Sequence, residues 1–111
     1  MRVDVQQRGI ASEEAGTQYR DYAARRLRLA LGRLTGVVQR ATIRLVDPNS
    51  PFGGVDKLCR VEVRLVGGAR SLAADATGSD LRASIDDATE RVRRQLDRWH
   101  AAHRPVGGPR S

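Results

Sequence analysis

Residues 80–99, DLRASIDDATERVRRQLDRW, predict the helix on which the rest of the fold depends. Apolar side chains recur in this stretch at the spacing of an α-helix, and they form one stripe: Leu81, Ile85, Ala88, Val92, Leu96 and Trp99. A helix with a single apolar stripe packs on a second layer of secondary structure. The preceding residues must therefore supply that layer.

The same helix carries a row of arginines. Arg91, Arg94 and Arg98 lie at positions i, i+3 and i+7, which groups them away from the apolar stripe. Planar guanidinium groups on a rigid element suit phosphate oxygens. Helix electrostatics offer another explanation, because the helix is acidic at its start and basic at its end. In addition, Asp87 and Glu90 each stand four residues before an arginine, so both could form i,i+4 pairs.

The rest of the chain supplies four strands. Alternating apolar and polar residues, bounded by turn-forming residues, predict them at 2–8, 37–46, 59–65 and 71–77. With one helix after the first strand and another after the last, the element order is β-α-β-β-β-α. We therefore predict an α+β fold, a two-layer sandwich in which a four-stranded sheet carries both helices on one face.

The first helix begins after Ser12, which two glutamates follow, and we expect Thr35-Gly36 to stop it after about Leu34. Arg26 and Arg33 lie on the flank of its apolar side. If the two helices pack side by side, their basic flanks could form one phosphate-binding surface. The candidate site residues are therefore Arg26, Arg33, Arg91, Arg94 and Arg98.

The charge of the whole chain favours a polyanionic partner. The net charge is +7, and nineteen of the 20 basic residues are arginine. Nucleic acid is the first candidate and an anionic membrane surface the second. Arginine content also follows genome composition, so charge alone leaves the partner open. Aromatic residues make up only 4% of the chain, which favours recognition of RNA backbone and shape over stacking on single-stranded bases.

Catalysis and metal binding have little support. Cys59 is the only cysteine. It falls at an inward-facing position of a predicted strand, so we expect a core residue rather than a nucleophile. His100 and His103 could share a helix face, but no cysteine or carboxylate upstream stands at metal-ligand spacing. We therefore predict that the protein is not an enzyme and has no metal site, no cofactor and no small-molecule substrate.

The N-terminus and the hydropathy of the chain predict its location. Residues 1–5 lack the apolar run of a signal peptide, and no segment has the roughly 18 apolar residues of a membrane span. We expect a cytoplasmic protein with no membrane partner.

We assign residues 1–102 to a single domain and residues 103–111, rich in glycine and proline, to a flexible tail.

A family resemblance runs through the last strands and the final helix. It rests on Val61-Glu62-Val63, a glycine turn, Leu72-Ala73-Ala74, Asp80-x-x-Ala83-x-Ile85-Asp86 and Arg91-Val92-x-Arg94-Gln95-Leu96-x-Arg98. With these motifs the chain resembles the ribosome hibernation promoting factor family over about residues 1–100. This family is also called the ribosome-associated inhibitor or sigma-54 modulation family, and its fold agrees with the predicted element order.

The resemblance implies a ribosome-associated dormancy factor. Such proteins bind rRNA in the decoding region of the small ribosomal subunit and block translation under stress or in stationary phase by steric occlusion. The family's basic positions fall on Arg26, Arg91, Arg94 and Arg98, so the rRNA phosphate backbone would be the partner. We expect the chain to be of the short type and to be a monomer. A diverged RNA-binding or protein-interaction regulator that no longer acts on the ribosome is the alternative.

The chain departs from the family pattern at three places. Arg82 stands where the family often has tyrosine, and Leu29-Ala30 stands where it has a Lys-Leu pair. The loop from Asp47 to Lys57 is longer than in compact members. These departures bear on affinity and on the ribosomal site rather than on the fold.

Overall fold

The computed structural model describes residues 1–10, 13–47, 57–68 and 70–103. Its elements are, in chain order, β1 Arg2–Arg8, α1 Glu13–Leu31, a 3₁₀ segment Gly32–Val37, β2 Val38–Val46, β3 Lys57–Leu65, β4 Ser71–Gly78 and α2 Leu81–Ala102. The predicted α+β class and the β-α-β-β-β-α order are confirmed. The long loop after Asp47 and the tail after His103 lie largely outside the described residues, so what was expected of them stays a prediction.

The four strands form one mixed sheet in the order β1-β2-β3-β4. β1 pairs with β2 in parallel, whereas β2–β3 and β3–β4 are antiparallel. A parallel pair needs a long crossover, and α1 provides it. One apolar row crosses the whole sheet, because Val5 lies opposite Ile43, Ile43 opposite Val61, and Val61 opposite Ala74. β1 and β4 are left as the edge strands.

The core lies between one face of the sheet and the two helices. Its fully buried side chains come from alternate positions of the central strands and from the apolar stripes of the helices: Ala23, Leu27, Leu31, Ala41, Ile43, Leu45, Cys59, Val61, Val63, Ile85, Ala88, Val92 and Leu96. The predicted stripe of α2 is therefore core from Leu81 to Leu96, whereas Trp99 is only partly buried against it. The opposite sheet face carries the intervening polar and charged residues.

The end of α1 differs from the prediction. The helix was expected to reach about Leu34, but it ends at Leu31 because Gly32 adopts φ +52°. Glycine adopts this left-handed conformation at almost no energetic cost, and the conformation ends the helix. The chain then makes the 3₁₀ turn of residues 32–37, so β2 begins at Val38 rather than at residue 37, and Leu34 is only half-buried.

The start of α2 is held by hydrogen bonds from two directions. Asp80 caps the helix, because its carboxylate accepts a hydrogen bond from the backbone N–H of Arg82 at 3.1 Å. The Ser84 hydroxyl is buried and donates to the carbonyl oxygen of Lys57 at 2.7 Å. The first turn of α2 is therefore tied to the first residue of β3, which fixes where the arginine row of α2 lies on the sheet.

Candidate nucleic-acid interface

One flank of α2 is bonded to the open edge of strand β4. The Arg91 guanidinium donates to the carbonyl oxygen of Asp75, and the Gln95 amide donates to that of Ala73, both at 2.8 Å. An edge strand presents unpaired backbone groups, and these two side chains satisfy two of its carbonyls. The flank of α2 and the edge of β4 therefore form the two walls of one groove, which we call the α2–β4 groove.

The α2–β4 groove brings together the whole predicted arginine row. Its lining consists of Ala73, Ala74, Asp75, Arg91, Arg94, Gln95 and Arg98. Arg94 and Arg98 are exposed and make no hydrogen bond or ion pair with any residue that the structure describes. Each guanidinium carries several N–H donors. The groove is thus a positively charged surface in which the guanidinium donors of Arg94 and Arg98 lack partners within the described chain.

Backbone donors add to the same groove. In an antiparallel strand the N–H and C=O of one residue point to the same side. Because the Ala73 and Asp75 carbonyls accept hydrogen bonds from α2, the N–H groups of these residues also point away from β3. An anion in the groove would meet amide donors from the strand and guanidinium donors from the helix.

The i,i+4 explanation of the arginine row is wrong. Glu90 contacts Arg26 of α1 at 3.5 Å and does not pair with Arg94. Asp87 is exposed and pairs with no residue in the described ranges, so Arg91 is not bonded to it either. Neither Arg91 nor Arg94 is therefore neutralised by an i,i+4 ion pair.

Arg26 lies in a network between α1 and α2, on the flank of α2 opposite the groove. Its Nε donates to Asp86 at 3.1 Å, and Tyr22 donates its hydroxyl to the same carboxylate oxygen at 2.5 Å. This hydrogen bond raises the pKa of Tyr22 above its usual value, with smaller contributions from burial and from the charge of Asp86. Two carboxylates, those of Asp86 and Glu90, thus balance the charge of Arg26. Sequence reasoning missed this network because tertiary packing alone brings residues so distant in the chain together.

Arg33 lies apart from the α2–β4 groove. It is exposed in the 3₁₀ segment and makes no ion pair with the described residues. The neighbouring Gly32 lies near Arg93, whose guanidinium donates to the Ala30 carbonyl and pairs with Asp97 at 2.9 Å. Neither Arg26 nor Arg33 lines the α2–β4 groove, so the five predicted residues do not all share this groove.

The exposed sheet face is basic but largely paired. Arg40 contacts Asp4 at 3.0 Å, and Arg60 contacts Asp75 at 2.8 Å. The hydrogen bond that Arg60 donates to the Asp75 carboxylate raises the pKa of Arg60 above its usual value. Arg64 is exposed without a partner among the described residues. Compared with this face, the α2–β4 groove concentrates its unpaired cations on one flank of a helix.

Cys59 and the possible metal ligands decide what chemistry the described part of the chain offers. Cys59 is fully buried, and burial, with a smaller effect from the charge of Asp75, raises its pKa to about 12, so the thiol is held in its unreactive form. No cluster of three or more histidine, cysteine or carboxylate groups could hold a metal ion within the described ranges. None of the helices there is long and apolar enough to cross a membrane.

Comparison with protein families matches residues 3–104 to the family described as sigma 54 modulation protein / S30EA ribosomal protein. The chain belongs to this family. The resemblance drawn from the motifs of the last strands and the final helix is thereby confirmed. A search of curated proteins found no match.

Two solved structures share the fold of this sigma-54 modulation family member. A ribosomal subunit interface protein from Coxiella burnetii superimposes with a TM-score of 0.71 at 17% identity, over 91% of this chain and 99% of the other. The N-terminal domain of Protein Y from Thermus thermophilus superimposes with a TM-score of 0.65 at 21% identity, over 89% of this chain and 99% of the other. At these identities the two structures show a common fold.

Two departures of this S30EA family member now have a place in the fold. The guanidinium of Arg82 lies 4.8 Å from the centre of the Tyr22 ring, so it covers the network of Arg26 by a cation–π contact. Leu29 is 71% exposed on α1. An apolar side chain thus occupies the surface of α1 where the resemblance led us to expect a lysine.

Proposed function

We propose that this protein binds rRNA of the small ribosomal subunit in the decoding region and blocks translation under stress or in stationary phase by steric occlusion. Family membership supports a ribosomal partner, as does the shared fold with a protein named for the ribosomal subunit interface. In this proposal the protein acts in the cytoplasm as a monomer and catalyses no reaction.

The observation that carries the proposal is the α2–β4 groove with its unpaired Arg94 and Arg98. Arginine binds phosphate oxygens through two N–H groups at once, and the helix holds these side chains in a fixed row. Contacts of this kind position a protein on a folded RNA without reading its sequence. They suit a factor that recognises the shape of one ribosomal site.

The contacts that the predicted site residues make within the chain give them different proposed roles. Arg91, Arg94 and Arg98 are the proposed phosphate contacts, because they share the groove and two of them are unpaired there. Arg33 is exposed, so it can contribute a peripheral contact. Arg26 is engaged by two carboxylates, so we assign it first to the docking of α1 on α2 and only second to RNA.

Co-sedimentation with purified small ribosomal subunits in a sucrose gradient tests the proposal. We expect the native protein to sediment with the subunit and the double variant Arg94→Glu/Arg98→Glu to remain at the top of the gradient. Arg64→Glu is the matched control, because Arg64 is exposed and unpaired among the described residues but lies on the sheet face. The proposal fails if the native protein does not sediment with the subunit, or if the double variant and the control behave alike.

A further inference from the structure

The α2–β4 groove continues past Arg98 into a second recess at the end of α2. This recess shares Gln95 and Arg98 with the groove and is otherwise lined by Arg70, Leu72, Trp99, Ala102 and His103. A chain that follows the arginine row towards the C-terminus of α2 therefore enters this recess next. The recess differs from the groove in its lining, because it contains a pair of aromatic rings.

Trp99 and His103 stack on each other in this recess. Their ring centres are 4.7 Å apart and their planes differ by 15°. The Trp99 ring is partly buried and packs against the core, whereas His103 is exposed. A further contact fixes the histidine ring, since its Nδ1 lies 2.8 Å from the Trp99 carbonyl oxygen. The pair thus offers an aromatic surface that is already oriented.

Unpaired cations lie beside the aromatic pair. Arg98 and Arg70 are both exposed, and neither makes an ion pair or hydrogen bond through its side chain with the described residues. Guanidinium groups next to an aromatic surface suit a nucleotide as the ligand. Its base can stack on the aromatic rings while its phosphates contact the guanidinium groups. A base inside a helix already has both faces stacked, so only an unpaired nucleotide fits.

We propose that this recess binds an unpaired nucleobase of RNA, stacked on the His103–Trp99 pair with Arg98 and Arg70 on the adjacent phosphates. The inference rests on the proposed function, because the α2–β4 groove guides the RNA backbone into the recess. It also refines the expectation drawn from the sequence. Aromatic residues are indeed few, but two aromatic rings lie together at the end of the arginine row.

Tryptophan fluorescence tests the inference directly, because Trp99 is the only tryptophan of the chain. The probes are a short single-stranded oligoadenylate, a blunt RNA duplex and inorganic polyphosphate, all matched in the number of phosphates. Binding of each is measured separately by competition with a labelled oligonucleotide. We expect all three to bind and only the oligoadenylate to quench Trp99. Binding of oligoadenylate without quenching would overturn the inference.

His103→Ala keeps the fluorescent reporter and removes the outer ring. We expect it to weaken oligoadenylate binding about tenfold and to leave polyphosphate binding unchanged. His100→Ala is the matched control, because His100 lies in the last turn of α2 but does not line the recess. Equal behaviour of the two variants would overturn the inference. Circular dichroism of both variants checks that the fold is retained.

Sedimentation with small ribosomal subunits separates this inference from the proposed function. If the native protein sediments but oligoadenylate does not quench Trp99, the nucleobase site is wrong and the ribosomal function stands. If oligoadenylate quenches Trp99 in the native protein but the protein does not sediment, the site stands and the ribosomal function is wrong.

Discussion

The guanidinium of Arg26 lies 3.1 Å from the carboxylate of Asp86, across the interface between α1 and α2. Tyr22 donates to the same carboxylate oxygen, and Glu90 lies 3.5 Å from the other end of the guanidinium. The basic residue of α1 that matches the family pattern therefore holds the two helices together. The contribution of Arg26 to the stability of the fold can be measured separately from its contribution to RNA binding.

Arg26→Ala is expected to lower the free energy of unfolding by roughly 1 kcal/mol, because it removes the cation that pairs with Asp86 and Glu90 at a partly exposed interface. Urea unfolding measures this loss. Arg33→Ala is the control and should leave the unfolding free energy unchanged, since Arg33 contacts no partner among the described residues. A fully stable Arg26→Ala variant that no longer binds ribosomal subunits would contradict the structural role and make Arg26 a direct contact.

Tyr22 makes the same interface sensitive to alkaline pH. The hydrogen bond to Asp86, first, and burial, second, raise the pKa of Tyr22 above its usual 10.0. The stability linked to this group is therefore complete below pH 10.0 and declines as the pH rises through the higher pKa of the folded state. Unfolding free energies measured across this range should fall more steeply in the native protein than in Tyr22→Phe. Parallel curves for the two proteins would contradict the assignment.

Gly32 ends α1 through its backbone conformation rather than through a lack of space. Its φ is +52°, and an added Cβ would meet only the Arg93 guanidinium, at 3.8 Å. Gly32→Ala should therefore cost about 1 kcal/mol of stability from backbone strain. Gly36→Ala is the control, because Gly36 has no positive φ and nothing within 4 Å of an added Cβ. Thermal unfolding that ranks the two variants in the opposite order would contradict this explanation.

Cys59 should not react with alkylating reagents in the folded protein. Its side chain is fully buried, and burial raises its pKa to about 12, so almost no thiolate forms at neutral pH. Labelling with iodoacetamide is expected to be slow in native buffer and fast in urea, as mass spectrometry would show. Rapid labelling in native buffer would mean that β3 opens to solvent or that the thiol is activated.

Alternation was sufficient to predict the four strands and the side chains that face the core. Ile43, Val61 and their inward neighbours follow a period of two, and a slip by one residue would place charged side chains in the core. The apolar stripe of α2 was equally clear, because a period near 3.6 persists from Leu81 to Leu96. The end of α1 was not predictable in the same way, since both Gly32 and Gly36 are plausible stops and only the backbone conformation distinguishes them.

The candidate site was predicted in part. Periodicity grouped Arg91, Arg94 and Arg98 on one flank of α2, and the structure places them in one groove. What lies across that groove, and which carboxylate Arg26 contacts, depend on how α2 packs against β4 and α1. Contacts between residues so far apart in the chain leave no periodic signal in a single sequence.

The salt dependence of binding to the small ribosomal subunit tests the central claim most directly. Each phosphate contact that is lost lowers the slope of log affinity against log salt concentration, by about 0.7 to 0.9. Arg94→Gln/Arg98→Gln should therefore bind more weakly and with a slope reduced by about 1.5, whereas Arg64→Gln should keep the slope of the native protein. An unchanged slope in the double variant would contradict the proposal that the α2–β4 groove binds rRNA phosphates.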